Sequence, residues 1–170
     1  IGLTATHDVP RLRTLVDEPS ALIGHLFSLL RPEVPMIYAG DELGLHSDDP
    51  GRSFEDVWPD RQPFPWSDVA QSTPSLELFR SLLHLRQEHA VLRRGSYTHL
   101  PISAAPLVFG FRRQLGDDVI DVFLSVEDAA LEFLLPDGPP MLQPLYVLGD
   151  AHVDPSMLMV RPTSADVNGV

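Results

Sequence analysis

The chain reads as an α/β portion followed by an all-β portion, and three observations carry that reading. The apolar opening Ile1-Gly2-Leu3-Thr4-Ala5 runs into Thr6-His7-Asp8, and about thirty residues later Val34-Pro35-Met36-Ile37-Tyr38-Ala39-Gly40-Asp41-Glu42 repeats the design of a strand ending in an acidic turn. A helical pattern lies between them, as in neighbouring βα units of a parallel barrel, where catalytic groups sit at the strand ends. Beyond Gly95 the periodicity shortens to runs of β-formers separated by turn residues, the mark of antiparallel hairpins in a small sandwich. The expected division is therefore residues 1–94 and residues 95–170.

The first strand is expected over 1–6 and the second over 36–39. Between them Asp17-Glu18-Pro19-Ser20 reads as a helix start, with Asp17 as cap and Pro19 in the first turn, where a missing N–H costs nothing. The helix should run to about Leu30, with Leu22, Ile23, Leu26, Phe27 and Leu30 on its apolar stripe. Pro32 and Pro35 prevent continuation. Residues 44–66 are rich in Asp, Pro and Gly, and a connection of that length is commonly functional.

Thr73-Pro74 opens a second helix, for which Leu76, Phe79, Leu82, Leu83 and Leu85 are the expected core face and Glu77, Arg80, Arg86 and Glu88 the wet one. Gly95 is the expected stop, after the basic pair Arg93-Arg94 that suits the negative end of the helix dipole. Strands are then expected over 97–100, 107–113, 119–126, 131–135, 145–148 and 157–160. Gly116-Asp117-Asp118 and Pro136-Asp137-Gly138-Pro139-Pro140 supply turns. Residues 163–170 are small and polar and are expected to fray.

Composition narrows the function classes. The 170 residues are 44% hydrophobic, enough for a packed core, and 24 acidic against 12 basic side chains give a formal charge of −12. That charge repels phosphate backbones and anionic lipid headgroups, so neither nucleic acid nor membrane is an expected partner and neutral or cationic ligands are. With no Cys, disulfides, thiolate nucleophiles and Cys-ligated metals are excluded, which fits a cytoplasmic address. The charged residues among the first twenty leave no unbroken apolar core for a secretory signal, and the chain is expected to be a piece beginning inside a larger protein.

His7 and Asp8 are the first candidates for chemistry, because imidazole and carboxylate at a strand end can act together; the plain alternative is a carboxylate that merely orients its neighbour. Asp41 and Glu42 are read as caps of the turn that follows their strand. Arg61, in Trp58-Pro59-Asp60-Arg61-Gln62-Pro63-Phe64-Pro65-Trp66, lies in a proline-stiffened loop from which its guanidinium could bond hydroxyls or carboxylates; Trp66 is read as packing that loop. His84, His89, His99 and His152 are isolated, none at metal-ligand spacing, so no metal and no cofactor is expected.

Taken in order, His7-Asp8-Val9-Pro10-Arg11, then Val34 through Gly44, then Arg61-Gln62-Pro63-Phe64-Pro65-Trp66, then Leu85-Arg86-Gln87-Glu88-His89-Ala90-Val91-Leu92-Arg93-Arg94-Gly95, the chain resembles the α-amylase family of glycoside hydrolases over about residues 1–113. The resemblance implies the last two βα units of a (β/α)8 TIM barrel followed by the β-sandwich called domain C. It also implies a retaining hydrolase or transglycosylase of α-glucosidic bonds in starch-derived maltooligosaccharides, using one carboxylate as nucleophile and another as acid/base. In the family both of those lie on earlier strands.

By the same resemblance Asp8 is the third carboxylate, which favours the distorted cationic transition state, His7 a sugar-hydroxyl ligand, and Arg61 a residue of the innermost sugar subsite. Thr6 stands where the family usually has Asn or Ser, and Val57-Trp58-Pro59-Asp60 replaces a more acidic stretch. Pro10, Arg11 and the Pro35-Met36-Ile37-Tyr38 strand lean toward neopullulanase-like, cyclodextrin-hydrolysing or α-glucosidase-like members. The expected partners are an α-glucan or maltooligosaccharide, the remainder of the barrel, and a second copy of the chain through its open edge. The rival expectation is a noncatalytic, amylase-like scaffold that binds a protein partner.

Overall fold

Strand β1 (Gly2–Leu3) pairs in parallel with β2 (Pro35–Met36), Gly2 opposite Pro35 and Leu3 opposite Met36, in a computed structural model that describes residues 1–47, 63–67, 73–102, 108–125, 131–133, 152–154 and 157–160. Both strands are shorter than the 1–6 and 36–39 expected. Beyond Leu3 the chain turns out of the ladder, and Thr6 bridges locally to Val9. The chain divides into two units, Ile1–Arg93 and Arg94–Val170.

In the first unit the short helix α1 (Leu12–Leu15), absent from the sequence reading, precedes α2 (Glu18–Leu30). Helix α2 starts as expected: the Asp17 carboxylate accepts from the Ser20 amide at 2.9 Å, and the hydrogen bonds of the Ser20 side chain, then of its amide, hold the carboxyl below its usual range. Its buried face is Ala21, Leu22, His25, Leu26, Leu29 and Leu30. Ile23 and Phe27, expected on the stripe, are only half-buried, because the stripe centres on the 22/25/26/29 positions and leaves them at its margin. Helix α1 packs over Gly24, where an added Cβ would lie 2.4 Å from Leu12 Cδ2.

Helix α3 (Pro74–Glu88) is capped by Thr73, whose hydroxyl accepts from the Leu76 amide at 3.1 Å. Its buried face is Ser75, Leu78, Phe79, Leu82 and Arg86, which overturns two expectations: Leu83 is exposed and Arg86 is inside. Arg86 donates to the carbonyl oxygens of Leu29, Arg31 and Glu33, each at 2.9 Å, and so covers the orphaned carbonyl end of α2. The expected single helix to Gly95 is broken at His89, whose extended backbone separates α3 from α4 (Ala90–Arg94). Around the two-stranded sheet Ile1, Leu3, Val34 and Met36 remain exposed, and among the described residues β1 and β2 pair only with each other.

Among its described residues the second unit forms two three-stranded antiparallel sheets. Strands β3 (Ser96–Leu100), β4 (Val108–Leu115) and β5 (Asp118–Ser125) lie in the order β3-β4-β5, with a turn at Gly116 in the left-handed region (φ 62). Phe111 sits opposite His99 and Val122 and is fully buried. Arg113, also fully buried, donates to the Ser96 and Gly95 carbonyls at 3.0 and 2.9 Å. Strands β6 (Leu131–Phe133), β7 (His152–Asp154) and β8 (Met157–Val160) take the order β6-β8-β7. Strand β7 had no counterpart in the sequence reading; the strand expected over 145–148 and the tail 163–170 lie outside the described residues.

Candidate functional site

His7 and Asp8 occupy a tight turn just beyond β1. The Val9 amide donates to the Thr6 carbonyl at 3.4 Å and the Asp8 amide to the Thr6 hydroxyl at 3.1 Å, so Thr6 serves the turn with both backbone and side chain. His7 Nε2 lies 3.1 Å from Asp8 Oδ2, with side chains 67% and 63% exposed. An imidazole and a carboxylate held side by side in solvent can donate to and accept from the hydroxyls of a polyol, and the carboxylate can stabilise a nearby cation.

Beneath the turn lies a buried polar network. Arg11 and Asp41, each 3% exposed, form an ion pair at 2.7 Å across 30 residues. Arg11 also donates to the Ala39 carbonyl at 2.8 Å, and its guanidinium lies 4.3 Å from the centre of the Tyr38 ring. The other Asp41 oxygen accepts from the Thr4 hydroxyl at 3.5 Å, and that hydroxyl lies 3.2 Å from His25 Nδ1. Burial raises the Asp41 carboxyl above its usual range while Arg11 opposes the rise, and burial lowers His25 to about 4. The His25 ring packs on Phe79 with centroids 5.0 Å apart.

Asp41 opens a 3-10 turn (Asp41–Leu43) bounded by Gly40 and Gly44, both in the left-handed region (φ 102 and 73). A Cβ on Gly40 would lie 2.4 Å from Leu45 Cδ1 and 3.2 Å from Arg11 Nη2, so the positive φ and the crowding both favour glycine here. The capping role expected of both acids divides. Glu42 accepts from the Gly40 amide at 2.8 Å, whereas Asp41 turns inward to Arg11.

Arg61 lies outside the described residues. Trp66, expected to pack its loop, is instead 79% exposed and meets Phe64 with ring centroids 4.7 Å apart. His84 is exposed beside Glu88 at 3.2 Å, and His99 sets its ring 5.3 Å from that of Phe109. Among the described residues no group of three potential ligands could hold a metal, and no helix is long and apolar enough to cross a membrane. Sequence reasoning assigned no role to Arg11 or His25. Arg11 had a signal in its place after His7-Asp8, and His25 in its helical spacing from Leu22 and Leu29.

No family model matches the chain. It is 28% identical over 131 residues to a cyclomaltodextrinase from a Bacillus species, covering 75% of this chain and 22% of that protein. Alpha-amylase 2 of Dictyoglomus thermophilum is 26% identical over 137 residues (75% and 23%), and neopullulanase 2 of Thermoactinomyces vulgaris 27% over 126 residues (73% and 20%). The chain thus spans about a fifth of the length of these curated relatives. They bear out the resemblance to the α-amylase family drawn from the four motifs, including its lean toward neopullulanase-like and cyclodextrin-hydrolysing members.

Solved structures agree at the level of fold. A Nostoc punctiforme debranching enzyme superposes with a TM-score of 0.66 at 24% identity, covering 94% of this chain and 31% of that one. An isomaltulose synthase from Erwinia rhapontici gives 0.76 at 17% identity (94% and 41%). The chain therefore has the fold of part of a TIM-barrel enzyme of this kind.

Proposed function

We propose that this chain is the closing part of a retaining glycoside hydrolase or transglycosylase that acts on α-glucosidic bonds of starch-derived oligosaccharides: the last two βα units of the barrel, followed by domain C. The observation that carries the reading is the solvent-facing His7–Asp8 pair at 3.1 Å, set in a turn beyond a parallel strand in a chain that resembles cyclomaltodextrinases and a neopullulanase. Asp8 then favours the cationic, distorted transition state, His7 binds a sugar hydroxyl, and Arg61 binds in the innermost subsite.

The exposed Ile1, Leu3, Val34 and Met36 around a sheet that pairs two strands among the described residues support neighbouring barrel strands as the cover, with self-association as the alternative. The residues matched here include neither nucleophile nor acid/base, so the 170-residue chain by itself is proposed to be silent on maltotriose and cyclodextrin.

The test uses a polypeptide that joins this chain to the earlier barrel strands. Asp8→Asn should lower kcat and kcat/KM together by at least about a hundredfold with the fold intact, since a transition-state interaction is lost from both. Arg61→Ala should raise KM for short maltooligosaccharides more than it changes kcat. Near-normal turnover in Asp8→Asn would refute the assignment, and turnover by the 170 residues alone would show that the essential carboxylates lie within them.

A further inference from the structure

The turn bearing His7 and Asp8 is short and solvent-exposed, yet the chain on both sides of it converges on one buried group. Upstream, the Thr4 hydroxyl reaches Asp41 Oδ2 at 3.5 Å; downstream, Arg11 reaches Asp41 Oδ1 at 2.7 Å. Asp41 itself is fixed by the 3-10 turn between Gly40 and Gly44, and Arg11 is held a second time by the Ala39 carbonyl at 2.8 Å. Two stems tied to one anchor leave the intervening residues little freedom to splay. The turn has in addition its own bonds, donated by the Asp8 and Val9 amides to the Thr6 hydroxyl and carbonyl oxygens.

We infer that Asp41, through Thr4 and Arg11, is a positioning residue that clamps both stems of the His7–Asp8 turn and so sets where the Asp8 carboxylate stands. This rests on the proposed function for the use made of Asp8. The clamp is suited to that use, because an exposed carboxylate must not follow its solvent freely if it is to meet a transient cation in one place. A buried, charge-assisted anchor holds its partners more stiffly than surface bonds would, since neither partner has water as a substitute. The same anchor ties the turn after β1 to the turn after β2, so neighbouring strand ends act as one platform.

The test is amide hydrogen exchange and side-chain rotamer couplings, measured by NMR on the 170-residue chain. Arg11→Met with Asp41→Leu removes both charges at once, so no buried charge is left alone and the unit keeps its fold. Exchange at Asp8 and Val9 should quicken at least about tenfold while Leu26 in α2 and Leu82 in α3 change by less than about twofold, and the χ1 couplings of His7 and Asp8 should move to rotamer-averaged values. Thr4→Val, which removes the upstream tie together with the Thr4–His25 contact, should act in the same direction with smaller effect.

A pair serving only general stability would quicken exchange in α2 and α3 alongside the turn, and that result would overturn the inference. So would unchanged exchange at Asp8 and Val9. No response to Thr4→Val would overturn the two-sided clamp. Because no sugar enters the measurement, its failure leaves the proposed glycosidase role standing, and failure of that role leaves the clamp standing.

Discussion

Arg86 in α3 donates to the carbonyl oxygen of Leu29, 57 residues earlier, at 2.9 Å. With the Arg31 and Glu33 carbonyls also at 2.9 Å, one guanidinium caps the C-terminal end of α2 and the turn that leads into β2. The fork shape matters: five donors in a plane serve several carbonyls at once, and lysine's point charge does not.

Arg86→Met should therefore cost roughly 2–4 kcal/mol of unfolding free energy, since it strands carbonyls that the buried guanidinium now satisfies. Arg86→Lys should recover only part of it. Urea unfolding followed by circular dichroism reads both, and a loss below about 0.5 kcal/mol in Arg86→Met would mean that water satisfies the end of α2 unaided.

His25 predicts a pH dependence. Its imidazole is held neutral to about pH 4 in the fold, whereas the unfolded chain protonates near 6.5. As pH falls through that window the unfolded state takes up the proton first, so stability declines from about 6.5 to about 4, by on the order of 3 kcal/mol, and this contribution is constant below and above it. His25→Gln should flatten the difference in urea midpoint between about pH 7.5 and about pH 4.5. An unchanged slope in that variant would assign the effect to other groups.

Across β4 and β5 the Arg112 guanidinium meets both oxygens of Asp121, at 2.7 and 2.8 Å. A two-point pair at a directly opposed position should show a coupling of about 1 kcal/mol in a double-mutant cycle of Arg112→Ala and Asp121→Ala, weakening as salt is raised. Additive single losses would show that the two side chains fold independently.

The sequence by itself determined what local rules govern. Asp17 and Thr73 start the two long helices because an oxygen side chain before a proline-led first turn satisfies free amides there. The hairpin at Gly116 follows from the turn residues, and the order of the motifs carries the resemblance to the α-amylase family. Tertiary structure decided the fate of the charged side chains. Arg86 reads as a surface residue by its place among Glu77, Arg80 and Glu88, Asp41 reads as a cap by its neighbours, and nothing local marks Arg113 as buried. All three are buried because folding brings carbonyls, or an opposite charge, within reach from distant positions: Leu29 to Arg86, Gly95 to Arg113, Arg11 to Asp41. Hydrophobic periodicity records which face turns inward, but the partner that makes a buried charge tolerable lies elsewhere in the chain and appears only once the chain has folded.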